Sequence, residues 1–169
     1  MKRVYLDAVA LIERLHRQYL EVVKVEVDRL GIRDINNVQA LILYNIGANE
    51  LTVGELTQRG YYLGSNVSYN LKKLVETEYV AQARSPHDRR SVRIRLTPKG
   101  LDLHGKLDEV FARQVAQLER AAINRDQLMA AEDALRRLEG FWTSALVGAE
   151  PGVVQPLTPL MVAAGGRGR

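Results

Sequence analysis

Apolar residues recur every three or four positions from Val4 to Val25. This spacing is typical of one stripe of an amphipathic helix, so it predicts a long first helix that ends at Gly31. Other apolar residues, such as Val9 and Ile12, lie off this stripe. The first helix is therefore predicted to bury more than one face.

Two shorter helices are predicted next, each with a polar start and a glycine end. Asp34 is expected to cap the first of them, which ends at Gly47. Thr52 and Glu55 have the spacing of a capping box. The second short helix is therefore predicted to start at this box and to end at Gly60.

The helix that follows has an apolar face and a polar face. It is predicted to open at Gly64 or Ser65. Its apolar stripe consists of Val67, Leu71, Leu74 and Val75. The opposite face carries Asn66, Tyr69, Asn70 and Lys73. Two short helices joined by a glycine-containing turn form a candidate helix-turn-helix.

The period then changes from helical spacing to alternation. Residues 80–84 alternate weakly, residues 92–96 alternate strictly, and a polar stretch with one proline separates them. This pattern predicts a β-hairpin, with Arg93 and Arg95 facing away from its apolar side. A helix-turn-helix followed by a hairpin is typical of a winged helix.

Two long helices are predicted to complete the fold. Thr97 and Pro98 suit the cap and first position of a helix that runs to Ala122, and Asn124 is expected to cap the last helix. The stripe of the last helix is Leu128, Ala131, Leu135, Leu138, Trp142 and Ala145. The predicted fold is mostly α with a small β-hairpin wing.

Composition is that of a soluble globular protein. The chain has 169 residues, of which 46% are hydrophobic and 26% charged, and it has no cysteine. No apolar run approaches the ~20 residues of a membrane span, and Asp7 interrupts any signal-peptide core. We expect a cytoplasmic protein with no membrane partner and no cysteine chemistry.

Positive charge is concentrated in the predicted winged helix. The chain carries a net charge of +4, and residues 59–100 hold nine Lys and Arg against three acids. Such a segment can be only a solvated face, but its place in a winged helix favours a surface for DNA phosphates. The second helix of the motif, the recognition helix, would enter the major groove, and the hairpin would reach the backbone or the minor groove.

Three segments resemble the MarR family of bacterial transcription regulators: residues 65–76, 79–80 and 87–100. The most specific part is an Asp-x-Arg wing tip that leads into an apolar strand and a Leu-Thr-Pro-Lys-Gly helix start. In element order the resemblance covers about residues 35–145. It implies a homodimer whose first and last helices interlock and whose two lobes bind a pseudo-palindromic operator in double-stranded DNA.

The resemblance also implies roles for single residues. Arg90 matches an arginine that enters the minor groove, and Asp88 matches an acid that pairs with a wing arginine, although a turn acid of this kind can simply bind loop amides. Phosphate contacts are expected for Arg89 and Arg93 of the wing and for Lys72 and Lys73 of the recognition helix, although surface lysines are alternatively ordinary solvated charges. The predicted DNA-binding residues are Ser65, Asn66, Ser68, Tyr69, Asn70, Lys72, Lys73, Arg84, Asp88, Arg89, Arg90 and Arg93.

Two positions depart from the family pattern. Tyr69 stands where many members have a base-facing arginine, and it is flanked by Asn66 and Asn70. Because asparagine suits adenine and a tyrosine ring can pack on a thymine methyl, we expect half-sites that lean to A and T. Glu78 stands where the family usually has a glycine, so the end of this helix is not predicted.

The apolar stripes of the first and last helices are wider than a small lobe needs to cover. Left exposed, they would form a larger apolar patch than soluble monomers usually carry. The predicted dimer-interface residues are Val4, Ala8, Leu11, Leu15, Leu135, Leu138 and Trp142. The chain is accordingly divided into an N-terminal dimerisation helix (1–33), a DNA-binding lobe (34–100), C-terminal dimerisation helices (101–148) and a flexible tail (149–169).

The family's usual regulation implies a small aromatic or phenolic effector as the ligand. Tyr5, His16, Tyr44 and Tyr62 are candidates to line its pocket, with ordinary packing as the alternative for each. The three histidines have no paired spacing, so no metal ligand is predicted, and no cofactor is expected.

The chain has no Gly-rich phosphate loop, zinc-protease motif or nucleophile-elbow motif, so it is predicted not to be an enzyme and to have no catalytic residue. The favoured function is a sequence-specific, ligand-responsive repressor that acts as a homodimer. One alternative is a dimeric architectural protein that binds nucleic acid without strong sequence choice, which the ratio of specific to non-specific affinity would reveal. Another is a winged-helix regulator of a different family, in which the first helix would not be needed for dimerisation.

Overall fold

The fold is mostly helical, with one small antiparallel sheet, as the sequence predicted. The computed structural model describes residues 1–60, 64–84 and 92–147. The elements within these residues are α1 (Lys2–Arg29), α2 (Asn37–Ile46), β1 (Leu51–Thr52), α3 (Val53–Gly60), α4 (Gly64–Glu76), β2 (Val80–Arg84), β3 (Val92–Leu96), α5 (Pro98–Arg120) and α6 (Arg125–Val147). None of the described helices is long and apolar enough to cross a membrane.

The chain divides into two compact units, Met1–Ala112 and Arg113–Arg169, and the boundary falls within α5. The first unit has a continuous hydrophobic core to which α2, α3, α4, the sheet and the start of α5 all contribute. Val23 and Val27, near the end of α1, are also buried in this core. The last turns of α1 therefore pack on the lobe, although the sequence assigned the whole helix to dimerisation.

The sheet has the order β1-β3-β2, and both pairings are antiparallel. The predicted alternation of β3 is confirmed, because Ile94 and Leu96 are buried while Arg93 and Arg95 are exposed. The third strand, β1, was not predicted, since a two-residue strand is too short to show alternation. Its pairing places Thr52 opposite Arg93.

Capping residues set the starts of α3, α5 and α6 as predicted, whereas the cap of α2 is a correction. Asn36, and not Asp34, caps α2: its Oδ1 accepts the backbone N–H of Gln39 at 2.9 Å, and Gln39 Oε1 accepts the N–H of Asn36 at 2.9 Å. Asp34 lies two residues too early and makes tertiary contacts instead. The predicted capping box at the start of α3 is confirmed by the 3.1 Å bond from the Glu55 N–H to Thr52 Oγ1.

The two long C-terminal helices begin as predicted. Thr97 Oγ1 accepts the Gly100 N–H at 3.1 Å at the start of α5, and Asn124 Oδ1 accepts the Gln127 N–H at 2.9 Å at the start of α6. The prediction that α5 runs to Ala122 was wrong. Ala122 has a φ of 57°, a left-handed conformation that cannot continue the helix, and α5 ends at Arg120.

Candidate nucleic-acid interface

Helix α4, the recognition helix of the predicted motif, presents one buried face and one exposed face. Val67, Leu71 and Leu74 pack into the lobe core, as the apolar stripe predicted. Asn66 and Lys72 are exposed, and the Tyr69 side chain is 62% exposed. Tyr69 is a large aromatic ring exposed to solvent on the second helix of a helix-turn-helix. Because a bound partner would remove this apolar ring from water, we take this face as the centre of the candidate interface.

The predicted place of Asn70 on this exposed face was wrong. Asn70 is only 8% exposed, and its Nδ2 donates to the carbonyl oxygen of Asn66 at 2.8 Å. Position 70 is three residues after Val67 and four before Leu74, so it falls at the edge of the buried stripe. The Asn70 side chain is therefore buried, and its amide is bonded within α4 and is not presented to a partner.

The two lysines of α4 share one acid, Glu76, as an ion-pair partner. Lys73 Nζ donates to Glu76 Oε2 at 2.8 Å, and Lys72 Nζ lies 3.9 Å from Glu76 Oε1. The hydrogen bond with Glu76 raises the pKa of Lys73, and the same bond lowers the pKa of the Glu76 carboxyl. The spacings of three and four residues on one helix were visible in the sequence and could have revealed this cluster.

The wing contributes exposed arginines, and one of them has an acidic partner. Arg93 Nη1 donates to Glu50 Oε1 at 2.8 Å, across 43 residues of sequence. Arg95 lies two residues along the same exposed face of β3. Asp88, Arg89 and Arg90 lie outside the described residues, as do the side chains of Ser65 and Arg84.

A polar junction joins the end of α4 to the start of α5. Lys99 Nζ donates to Asp34 Oδ2 at 2.7 Å and to the Thr77 carbonyl oxygen at 2.9 Å, and it lies 4.0 Å from the ring centroid of Tyr79. The Tyr79 hydroxyl also donates to Asp34 Oδ1 at 2.9 Å. One buried aromatic ring, one cation and one carboxylate thus hold the carboxyl end of the recognition helix.

The ionisation of this junction follows from its contacts. Burial alone would raise the pKa of Asp34, but the hydrogen bonds from Lys99 and Tyr79 outweigh it, and the pKa lies below its ordinary value. Burial, followed by the hydrogen bond to Asp34, raises the pKa of Tyr79 to about 12. The carboxylate and the neutral phenol are therefore the stable forms at neutral pH.

The Leu-Thr-Pro-Lys-Gly segment gains a physical explanation from the same junction. Thr97 Oγ1 donates to the Glu78 carbonyl oxygen at 2.6 Å, and the Thr97 N–H donates to the Tyr79 carbonyl oxygen at 3.0 Å. A Cβ at Gly100 would collide with that Tyr79 carbonyl. Three residues of the segment therefore contact the turn after α4 through different properties. Thr97 uses its hydroxyl, Lys99 uses its ammonium group, and Gly100 fits because it has no side chain.

Glu78 adopts the conformation that a glycine would adopt at the end of α4. Its φ is 62°, its N–H donates to the Val75 carbonyl oxygen at 3.0 Å, and the Tyr79 N–H donates to the Leu74 carbonyl oxygen at 2.9 Å. These two bonds form a Schellman-type end. A side chain in this left-handed conformation carries strain.

A groove of about 750 Å³ lies beside the exposed face, between α4 and the sheet. Its lining includes Val53, Ser68, Leu71, Lys72 and Gln82, so it combines apolar walls with polar edges. Two of these residues, Ser68 and Lys72, also belong to the predicted DNA-binding set. A molecule in this groove would therefore touch the recognition helix directly.

The proposed effector residues lie in different settings. Tyr44 stacks on His104 at 4.8 Å, contacts Phe111 edge-on at 4.8 Å and donates to Asp108 Oδ1 at 2.9 Å. Burial and the bond to Asp108 raise its pKa to about 12. These contacts are those of a packed side chain, which is the alternative given above to a role of Tyr44 in effector binding. Tyr5 and His16 are exposed on α1, and Tyr62 lies outside the described residues.

The predicted dimer residues remain accessible in the single chain. In the first unit Val4, Leu11 and Leu15 are exposed and Ala8 is half-buried. In the second unit Leu135 is exposed, and Leu138 and Trp142 are half-buried.

Comparisons with known proteins agree with this architecture. A family model described as a winged helix DNA-binding domain matches residues 35–100. Over 141 residues the chain is 38% identical to the exopolysaccharide II synthesis transcriptional activator ExpG of Rhizobium meliloti (strain 1021). That match covers 83% of this chain and 73% of ExpG.

Two solved structures with bound DNA share the fold. A mutant MarR of Escherichia coli in complex with operator DNA superposes with a TM-score of 0.68 at 20% identity, covering 79% of this chain and 94% of that one. Streptococcus pneumoniae FabT in complex with DNA gives a TM-score of 0.65 at 20% identity, covering 83% of this chain and 99% of that one.

A helix-turn-helix with an antiparallel wing, placed between long helices, defines a DNA-binding transcription regulator of the winged-helix class. The chain belongs to the MarR family of these regulators. Its family and fold are those of regulators and not of enzymes.

Proposed function

We propose that this regulator acts in the cytoplasm as a homodimer that recognises a pseudo-palindromic operator by sequence. The observation that carries the proposal is the two-faced recognition helix, which buries Leu74 in the core and holds Tyr69 in solvent. The position of α4 relies on core packing and on the junction with α5, so its exposed face is presented rigidly, as base readout requires.

The proposed contacts divide into base readers and phosphate binders. Asn66 and Tyr69 read the bases. Lys72, Lys73, Arg89 and Arg93 bind phosphates. Arg90 enters the minor groove, and Asp88 pairs with a wing arginine. Ser65, Ser68 and Arg84 complete the predicted DNA-binding set. Asn70 is left out because its amide is already used within α4.

Selection of bound duplexes from a random pool tests this division. The expected result is a two-fold symmetric consensus whose half-sites lean to A and T, because the described readers offer an amide and a ring and no exposed arginine of α4. Tyr69→Ala should weaken discrimination at one base pair of each half-site. A pool without a consensus would contradict sequence-specific regulation, and half-sites dominated by contacted G would contradict the assigned readers.

The homodimer is supported by the apolar stripe of α1. Leu11 and Leu15 are exposed in the single chain, whereas Val23 and Val27 near the end of the same helix are buried in the core. A two-fold interface would cover the same patch on both copies, as in most small oligomers. Sedimentation at micromolar concentration should give the mass of two chains.

Repression is proposed for an operator that overlaps a promoter, because a dimer bound there excludes the polymerase. Activation is the second candidate, and it is favoured by the 38% identity to ExpG, a transcriptional activator. Transcription in vitro from the chain's own upstream region, with and without the protein, distinguishes the two. A fall in transcript supports repression, a rise supports activation, and no change on a bound template contradicts both.

A small aromatic or phenolic effector is proposed to bind in the groove between α4 and the sheet. The groove is of ligand size, and its wall includes the recognition helix, so an occupant would compete with DNA for Ser68 and Lys72. Phenol and benzoate series should release DNA from the protein, and Gln82→Trp, which fills the edge of the groove, should abolish the release. Release that survives this substitution would place the effector elsewhere.

A further inference from the structure

We infer that Glu50 sets the DNA affinity of the wing by holding Arg93 in an ion pair that competes with DNA phosphate. The inference rests on the proposed DNA-binding surface and adds a residue that neither charge patterning nor family resemblance assigned to it. It concerns an acid that precedes β1 and an arginine on β3.

The geometry restricts how Arg93 can meet a phosphate. Its guanidinium donates through Nη1 to Glu50 Oε1 at 2.8 Å, and the two side chains are 46% and 43% exposed. Pairing of β1 with β3 holds the two backbones together, since Thr52 lies directly opposite Arg93. The sheet thus keeps the backbone of Glu50, one residue before β1, close to Arg93, and the ion pair joins their side chains.

Either mode of DNA binding works against this carboxylate. If the guanidinium turns to a phosphate, Glu50 loses its partner. If the guanidinium stays and binds both, a carboxylate and a phosphate share one cation at close range and repel each other. Because a half-exposed ion pair is weak, it does not block the contact but lowers the affinity that the contact contributes.

Arg95 provides an internal comparison on the same strand. It lies two residues further along the same exposed face of β3, and among the described residues no ion pair to it is present. Neutralising Glu50 should therefore act through Arg93 and leave any contribution of Arg95 unchanged.

The test measures binding of the full chain to a scrambled duplex as a function of salt, by fluorescence anisotropy. Glu50→Gln should tighten binding by about threefold or more at low salt and should make the slope of log affinity against log salt steeper by up to ~0.9, the value for one more phosphate contact. In an Arg93→Gln background the same change should have no effect, whereas in an Arg95→Gln background it should persist.

A matched control separates this effect from a simple change in net charge. Glu132 on α6 is exposed and pairs with Arg136 at 2.7 Å, so Glu132→Gln removes one negative charge without touching the wing. It should leave affinity and slope unchanged.

Three results would overturn the inference. The first is that Glu50→Gln leaves binding unchanged while Arg93→Gln weakens it. The second is that Glu50→Gln itself weakens binding, which would make Glu50 a residue that orients Arg93 toward DNA. If Arg93→Gln alone has no effect, the phosphate role of Arg93 fails and the inference fails with it. In each case the parent chain would still bind its operator, so the proposed function stands or falls separately.

Discussion

Helices α1 and α4 carry the same kind of apolar stripe, but the stripes have different fates. On α4, Leu74 is fully buried within the lobe. On α1, Leu15 is 51% exposed, and only the last turns of that helix, at Val23 and Val27, reach the core. Equal periodicity in the sequence therefore corresponds to packing within the chain in one helix and to an uncovered surface in the other.

The difference shows what a hydrophobic period can and cannot specify. The period fixes which face of a helix avoids water, but it does not fix which surface covers that face. For α4 the covering surface is supplied by α2 and the sheet. For the first two-thirds of α1, a second copy of the chain is the surface that we propose.

The largest expected effect is on the dimer. Leu15→Glu places a charge in the proposed interface, and because a two-fold interface contains it twice we expect a loss of about 3–6 kcal/mol in association free energy. Sedimentation velocity measures the shift to monomer. Arg17→Glu, on the opposite face of α1, should leave the dimer intact. A dimer that survives Leu15→Glu would contradict the assignment of this stripe.

The matched change on α4 should act on folding instead. Leu74→Ala creates a cavity in the core and should lower the free energy of unfolding by about 2–5 kcal/mol. Urea denaturation at a fixed chain concentration measures this loss, and sedimentation should show the parent's mass under native conditions. A loss below ~1 kcal/mol would mean that the α4 stripe is not covered as described.

The junction between α4 and α5 should contribute less than the core. Lys99→Met removes the partner of Asp34 and of the Thr77 carbonyl. We expect it to lower the free energy of unfolding by about 1–2 kcal/mol, a modest loss because the lysine is partly exposed. Urea denaturation at neutral pH measures this loss.

The same substitution should change how stability depends on pH. The pKa of Asp34 is lowered in the folded state, so its contribution to stability is present above the ordinary pKa of 3.8 and is lost as the pH falls through the folded value. The free energy of unfolding should therefore fall less steeply with decreasing acid pH in Lys99→Met than in the parent chain. The same acid dependence in both chains would contradict the stabilising pair between Lys99 and Asp34.

The smallest expected effect is a gain in stability. Glu78→Gly relieves a left-handed backbone and should raise the free energy of unfolding by ~0.5–1 kcal/mol, the strain less the entropy that glycine adds to the unfolded chain. Glu78→Ala keeps the strain and serves as the control. Equal stability of the two variants in urea denaturation would contradict the strain assigned to this turn.

Sequence reasoning succeeded where the information was local. The capping box of Thr52 and Glu55, the start of α5 at Pro98 and the alternation around Ile94 all depend on neighbours within a few residues. It chose the wrong cap for α2 because Asp34 and Asn36 are both good caps, and only the course of the chain decides between them. It misplaced Asn70 because polar character suggested exposure although the position borders the stripe.

Long-range polar pairs could not have been predicted by the same means. Glu50 meets Arg93 across 43 residues, and Asp34 meets Lys99 across 65. No period connects such positions, since they are brought together by strand pairing and by the turn after α4. The sequence therefore identified the basic surface but not the acids that pair with Arg93 and Lys99.

The most direct test of the account is the preference of the full chain for one DNA sequence. Fluorescence anisotropy would compare a duplex from the gene's own upstream region with a scrambled duplex at ~150 mM salt, and the account predicts a preference of roughly 10³-fold or more. Equal, salt-sensitive affinity for the two duplexes, and for duplexes selected from a random pool, would contradict sequence-specific regulation and favour an architectural role.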